Sequence, residues 1–115
     1  MQGVPFLLLT TSGAVFEGKV DSVVLPTAQG EIQVLPAHAD YSSIVGVGWI
    51  RAEGAISNTE KGSAGKGLRE WAVLNGLFNI TNGKVELLAD KVYRKGSSEI
   101  NDHLIAEYPG LAKSH

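Results

Sequence analysis

Hydrophobic residues along this chain recur mostly with a period of two, in short runs punctuated by glycine and asparagine. In "EIQVL" (31–35), Ile32 and Val34 fall on one side and Glu31, Gln33 and Leu35 on the other, the pattern of a half-buried strand. "KVDSVVLP" (19–26) sets Val20, Ser22 and Val24 on one face and Val23 and Leu25 on the other. "SIVGVGWIRAE" (43–53) groups Val45, Val47 and Trp49 against Ile44, Gly46, Gly48 and Ile50. Three further runs come later, "REWAVLNG", "LFNITNG" and "KVELLAD". Their Asn-Gly pairs at 75–76 and 82–83 predict two tight hairpin turns. Between these groups, "NTEKGSAGKG" (58–67) is polar and glycine-rich and reads as an exposed hairpin tip. Eight or more short strands with no helical period predict an antiparallel sandwich or barrel.

The pattern changes at Arg94. In "RKGSSEINDHLIAEYPGLAKSH", Ser98 is a candidate N-cap, with Glu99 and Asp102 in the first turn and Pro109-Gly110 as the stop. Ile100, Leu104 and Leu111 form a partial apolar stripe. The expectation is one helix of roughly ten residues, which needs a surface to lie on. The domain reading is a β-sandwich over 1–94 and a short tail over 95–115.

Composition narrows the function classes. At 115 residues, the chain suits one domain with one core. A net charge of −2 argues against a nucleic-acid binder, which normally carries a basic face. The absence of cysteine removes disulfide frameworks and thiolate zinc sites. The apolar run at 4–9 is far shorter than the ~20 residues that span a bilayer. The chain therefore reads as soluble, with membrane association only through a partner.

The candidates for chemistry are weak. His38 and Asp40 with Ser42 and Ser43 invite a hydrolase reading, but sequence neighbours rarely assemble a triad and no G-x-S-x-G elbow is present. The histidines at 38, 103 and 115 lack metal-ligand spacing; His38 reads as a loop histidine bonded to backbone or meeting a partner. "GSAGKG" (62–67) leads into a strand rather than a helix, unlike a phosphate loop. Trp49 and Trp71 read as packing residues rather than a stacking platform. No cofactor is implied.

The order of motifs nonetheless resembles a known family. "SGAVFEGKVDSVVLPTAQGEIQVLPAHAD", then "VGVGWIRA", then "LNGLFNITNGKVELLADKVYR" is similar to the N-terminal domain of the epsilon subunit of the rotary F-type ATP synthase, called delta in mitochondria. The resemblance covers roughly residues 5 to 94. It rests on Phe16-Glu17-Gly18, on the run from Gly30 through Pro36 to His38-Ala39, on Asn75-Gly76, and on Leu88-Ala89-Asp90.

The resemblance implies a flattened antiparallel β-sandwich of about ten strands. It implies a non-catalytic place in the central stalk, bound to the gamma subunit, seated on the polar loops of the c-ring, and linked indirectly to the alpha/beta catalytic head. Gln29 and Glu31 would face the c-ring, and His38, Asp40 and Ser42 would lie toward gamma. The implied location is peripheral, on the cytoplasmic face of a bacterial inner membrane, with the mitochondrial matrix side as the alternative. Ala37 stands where the family usually has glycine and Asp40 where it often has proline. The family's C-terminal pair of long helices has no counterpart in the 20 or so residues after 94, so no braking of ATP hydrolysis by that hairpin is expected. The Ile/Leu-Asp-x-x-Arg-Ala motif of ATP-binding members is also absent, and no nucleotide site is expected. The competing class is a free-standing β-sandwich that binds a ligand or carbohydrate; it would carry aromatic residues at its loop tips.

Overall fold

A computed structural model describes residues 3–27, 29–54, 67–112 and the backbone of 56–57. The expected hairpin tip at 58–67 lies, except for Gly67, outside the described residues, and so does His115.

Nine strands are described: β1 (Val4–Thr10), β2 (Gly13–Val20), β3 (Ser22–Thr27), β4 (Gly30–Val34), β5 (Tyr41–Glu53), β6 (Ile56–Ser57), β7 (Leu68–Thr81), β8 (Lys84–Ala89) and β9 (Lys91–Arg94). Because β6 has only two residues, eight substantial strands stand where about ten were expected. Part of the difference lies in β7, which runs for 14 residues where the sequence suggested two separate short strands. Asn75-Gly76 does not make a hairpin. Residues 72–74 and 77–80 both pair antiparallel with β5, so the chain continues in one direction through the Asn-Gly pair. Asn75 takes a left-handed φ of 55°, which asparagine tolerates, and the strand kinks there instead of reversing. The Asn82-Gly83 pair does turn, joining β7 to β8 with both residues at positive φ, as the primed hairpin turn requires.

The hydrogen-bonded ladder is continuous, in the order β4-β3-β5-β7-β8-β1-β2-β6, with β9 also on β7. It folds over into two layers because β5 and β7 each belong to both. Their outer halves, 51–53 of β5 and 71–74 of β7, pair with β3 and β9, and the far half of β7, 77–81, pairs with β8. One layer is β4-β3-β5-β7-β9; the other is β5-β7-β8-β1-β2-β6. The only parallel pair is β1 with β8 among the described residues. The flattened body measures 42 × 34 × 25 Å.

Register shifts on either side of Gly46, whose φ is +70°, leave Val45 of β5 and then Asn75 of β7 as extra residues, after which the pairing returns to its earlier register. Such a bulge switches the facing of the residues beyond it. Val45 therefore enters the main core with Ile50 and Ala52, whereas Val47 and Trp49 face outward; the strict alternation read over 43–53 fails at this point. The bend at Asp21 has a similar effect. Val20, at the end of β2, joins Val23 and Leu25 in the core rather than facing with Ser22 and Val24, which are themselves buried on the far side of β3. At this corner Asp21 N–H donates to the Glu53 carbonyl at 2.8 Å. Gly54 has a φ of +70°, and a Cβ there would meet the Asp21 carboxylate, so the corner favours glycine.

The main core is apolar throughout. Phe6, Phe16 and Trp71 meet at its centre with ring centroids 5.4–6.0 Å apart, and all three are fully buried or nearly so. A second, smaller core lies on the outside of the first layer, where Trp49, Ala72, Leu74 and Leu111 are buried together. The C-terminal segment covers it. Its helix α1 is Asp102–Glu107, six residues rather than ten, and its N-cap is Asn101 rather than Ser98: Asn101 Oδ1 accepts from Leu104 N–H at 2.9 Å. Ser97 and Ser98 instead occupy a preceding turn, in which Ile100 N–H donates to the Ser97 carbonyl. Pro109–Leu111 forms a single 3-10 turn. The expected stripe of Ile100, Leu104 and Leu111 does face the sheet. Trp49 Nε1–H donates to the Leu111 carbonyl at 3.3 Å, fastening the segment down.

Candidate docking surface

Among the five site residues singled out from sequence, the structure separates two groups. Gln29 and Glu31 sit on the β3–β4 hairpin. The turn is braced by Thr27, whose Oγ1 donates to the Gly30 carbonyl at 2.6 Å and accepts from Gln29 N–H. Both side chains are exposed. Glu31 shares a shallow groove of about 230 Å³ with Val24, Ile32, Gln33 and Arg51, on the outside of the first layer.

His38, Asp40 and Ser42 belong to the loop after β4 and the start of β5. They do not converge. His38 Nδ1 lies 2.6 Å from the Ala39 carbonyl oxygen, so that nitrogen donates. Asp40 Oδ1 accepts from Asn82 N–H at 3.0 Å. Ser42 Oγ donates to Asn79 Oδ1 at 2.6 Å. Serine, histidine and carboxylate each hold a different partner, so no triad forms. Among the described residues no three His, Asp or Glu side chains gather as a metal site would need.

What these bonds do is fix a loop. Asp40 ties residues 35–40 to the β7–β8 turn, against which Ala37 also packs, near Gly83. Ala37 has a φ of 66°, in the left-handed region that disfavours L-residues by roughly 1–2 kcal/mol. Glycine relieves that strain but adds unfolded-state freedom of roughly 0.4–1 kcal/mol. Ala37→Gly is therefore expected to stabilise the fold by roughly 0.5–1 kcal/mol, read as a higher urea midpoint with an unchanged slope.

Ser42 leads to a feature that the sequence reading missed. On the outer face of the second layer, Ile44 stands opposite Leu77, Leu77 opposite Leu88, Leu88 opposite Leu9, and Leu9 opposite Ala14. These five residues form one apolar row across five adjacent strands. Ile44, Leu77 and Leu88 are 70%, 55% and 46% exposed. Scattered apolar residues on a surface need no explanation, but a contiguous row marks a contact surface. The neighbouring row is polar except for Leu7: Ser42, Asn79, Glu86, Leu7 and Glu17 succeed one another in register. Beyond it stand Lys84, opposite Thr81, and Lys19, opposite Pro5. A signal for this face does exist in the sequence. Leu77 and Leu88 occupy the polar parity of otherwise alternating strands.

Among the described residues no helix is long and apolar enough to cross a membrane.

Comparison with known proteins gives this surface its context. The family described as ATP synthase, Delta/Epsilon chain, beta-sandwich domain matches residues 4–95. The ATP synthase epsilon chain of Campylobacter curvus is 39% identical over 94 residues, which cover 80% of this chain and 65% of that protein. That of Wolinella succinogenes is 45% identical over 53 residues, covering 46% and 40%. The chain thus spans 40–65% of the length of these two relatives. A chain in the Euglena gracilis mitochondrial ATP synthase assembly of OSCP, F1 and c-ring shares the fold, with a TM-score of 0.70 at 16% identity, over 93% of this chain and 61% of that one.

Proposed function

Because the chain belongs to the ATP synthase delta/epsilon family through its β-sandwich domain, we propose that it is a non-catalytic rotor subunit of the central stalk. It docks on the gamma subunit and on the polar loops of the c-ring, and so couples ion-driven rotation to the catalytic head, where the ATP chemistry takes place. The observation that carries this reading is the exposed apolar row of Ile44, Leu77 and Leu88. A stable interface needs more than about 1,000 Å² and an apolar centre, and this row supplies such a centre. Ser42 borders the row, and the loop of His38 and Asp40 beyond it also faces gamma, with Asp40 acting by holding the loop in place. The sandwich over 1–94 is the docking unit, followed by a short tail over 95–115. The location is the cytoplasmic face of a bacterial inner membrane, peripheral and held there by the complex.

Gln29 and Glu31 form the c-ring contact. A carboxylate at an exposed turn contributes only about 0.2–1 kcal/mol to an ion pair. Glu31→Gln is therefore expected to loosen the seat on the ring by less than about fivefold and to leave assembly intact. Quantitative co-purification from native membranes, with and without added salt, measures this; complete loss of the subunit on that one change would contradict it.

The reading as a whole is tested by affinity purification of the tagged chain in mild detergent. Recovery of alpha, beta, gamma and c subunits together supports a rotor component. Recovery of the chain alone, with those subunits intact in the flow-through, overturns the proposal and makes a free-standing binding module the better account.

A further inference from the structure

The second-layer face is zoned, and the zoning constrains what can lie on it. The apolar row crosses five strands at about 4.8 Å each, so it is about 19 Å long. It runs across the strands rather than along them. A strand added at the edge would meet only one end of it, and a single loop would cover two or three side chains. A helix of about 13 residues rises through about 19 Å, and its apolar residues at i, i+3, i+4 and i+7 recur about every 5 Å. That spacing lets them interleave with side chains set one per strand.

Charge then fixes the helix's flank. Glu86 and Glu17 stand in the row immediately beside the apolar one, about 7 Å along the strands, which is within reach of the side chains that flank a helix seated on the row. Lys84 and Lys19 stand one row further out. On the other side, Asn75 Nδ2 donates to the Asp90 carboxylate at 3.2 Å, just past Leu77 and Leu88. The Glu86–Lys84 pair is 3.4 Å apart and about half exposed, a contact that contributes little and yields to a better-placed cation.

We infer that the occupant of this face is a single amphipathic helix of the gamma subunit. It lies across β5, β7, β8, β1 and β2 with its apolar stripe on Ile44, Leu77, Leu88 and Leu9, and with lysines or arginines on the flank over Glu86 and Glu17. Cations further out would meet Lys84 and Lys19, so the basic residues lie next to the stripe and not beyond it. This rests on the proposed docking to gamma and adds to it the element and its charge pattern.

The test uses the assembled complex with a benzophenone amino acid in place of Leu88, irradiated and mapped by mass spectrometry. The expected product joins Leu88 to one helical segment of gamma whose apolar residues have helical spacing and whose flank is basic. In parallel, Glu17→Lys with Glu86→Lys is expected to weaken gamma binding about tenfold at low ionic strength, with the loss shrinking as salt rises. Cross-links to a strand or loop of gamma, or to another subunit while gamma remains bound, overturn this inference and leave the rotor reading standing. A tenfold loss that does not respond to salt overturns the charge pattern. Failure of gamma to co-purify with the unmodified chain overturns the rotor reading itself.

Discussion

Replacing Trp71 with alanine is expected to remove about 3–5 kcal/mol of folding stability, a fifth or more of the roughly 5–15 kcal/mol that holds an average domain together. Trp71 is fully buried, and it contacts both Phe6 and Phe16 at the centre of the sandwich. It also sits on β7 at the point where that strand pairs with β5 on one side and β9 on the other. The cavity left behind would therefore be bounded by backbone fixed in two ladders, which cannot collapse to fill it. Its indole nitrogen has no hydrogen-bond partner among the described residues, so the side chain contributes by packing alone. Trp71→Phe should consequently cost markedly less than Trp71→Ala. Guanidinium unfolding monitored by the fluorescence of the remaining Trp49 measures both. Equal losses for the two variants would show that packing volume is not what Trp71 supplies.

The second large effect concerns docking rather than folding. On the proposed docking to gamma, Leu77→Asp is expected to weaken binding by at least about thirtyfold, the equivalent of a hot-spot loss of about 2 kcal/mol. Leu77 lies in the middle of the apolar row, flanked by Ile44 and Leu88, where a carboxylate would be desolvated with no cation beside it in the row. The isolated chain should barely notice, because the side chain is 55% exposed and exposed substitutions usually shift stability by no more than about 0.5 kcal/mol. Leu68→Asp is the matched control: it is 51% exposed and lies at the far end of the same strand, in the other layer. A thermal melt establishes that both variants fold, and co-expression with gamma then separates them. Equal retention of gamma by both would remove the apolar row from the interface.

The two effects differ in how far the sequence discloses them. The period-two pattern identifies the class of fold, and in β4 it assigns every side chain to the correct face, from exposed Glu31 and Gln33 to buried Val34. It fails where the backbone leaves the regular pleat. Asn75-Gly76 carries the same dipeptide as the genuine turn at Asn82-Gly83, and only tertiary pairing decides between them. Residues 77–80 find the same partner strand as residues 72–74, so continuing the ladder wins over reversing it. The bulge at Gly46 is equally invisible to a count of alternating positions, since it depends on β5 having to track β7 through the bend. The tail is legible as a helix with an apolar stripe. Its start is not, because Asn101 competes with Ser98 for the cap, and the preceding turn engages Ser97 and its neighbours.

The docking surface is less legible still, because a surface row is a property of register. Leu9, Ile44, Leu77 and Leu88 are separated by up to 79 positions in the chain, and nothing local says that they align. The resemblance to the epsilon family points to the His38 loop next to this face, and the pairing of Ser42 with Asn79 leads from one to the other.

The sharing of β5 and β7 between layers has a mechanical meaning. Two sheets held together only by side-chain packing can slide over one another under a sideways load, since apolar contacts resist shear weakly. Here two covalent strands pass from one sheet into the other, laddered to each other along nearly their whole length. A force applied at Leu77 or Ile44 is carried lengthwise along peptide bonds into Trp49 and Trp71, and so into both cores at once. Sliding one layer over the other would have to deform those two shared strands, so the two halves have no seam along which to part.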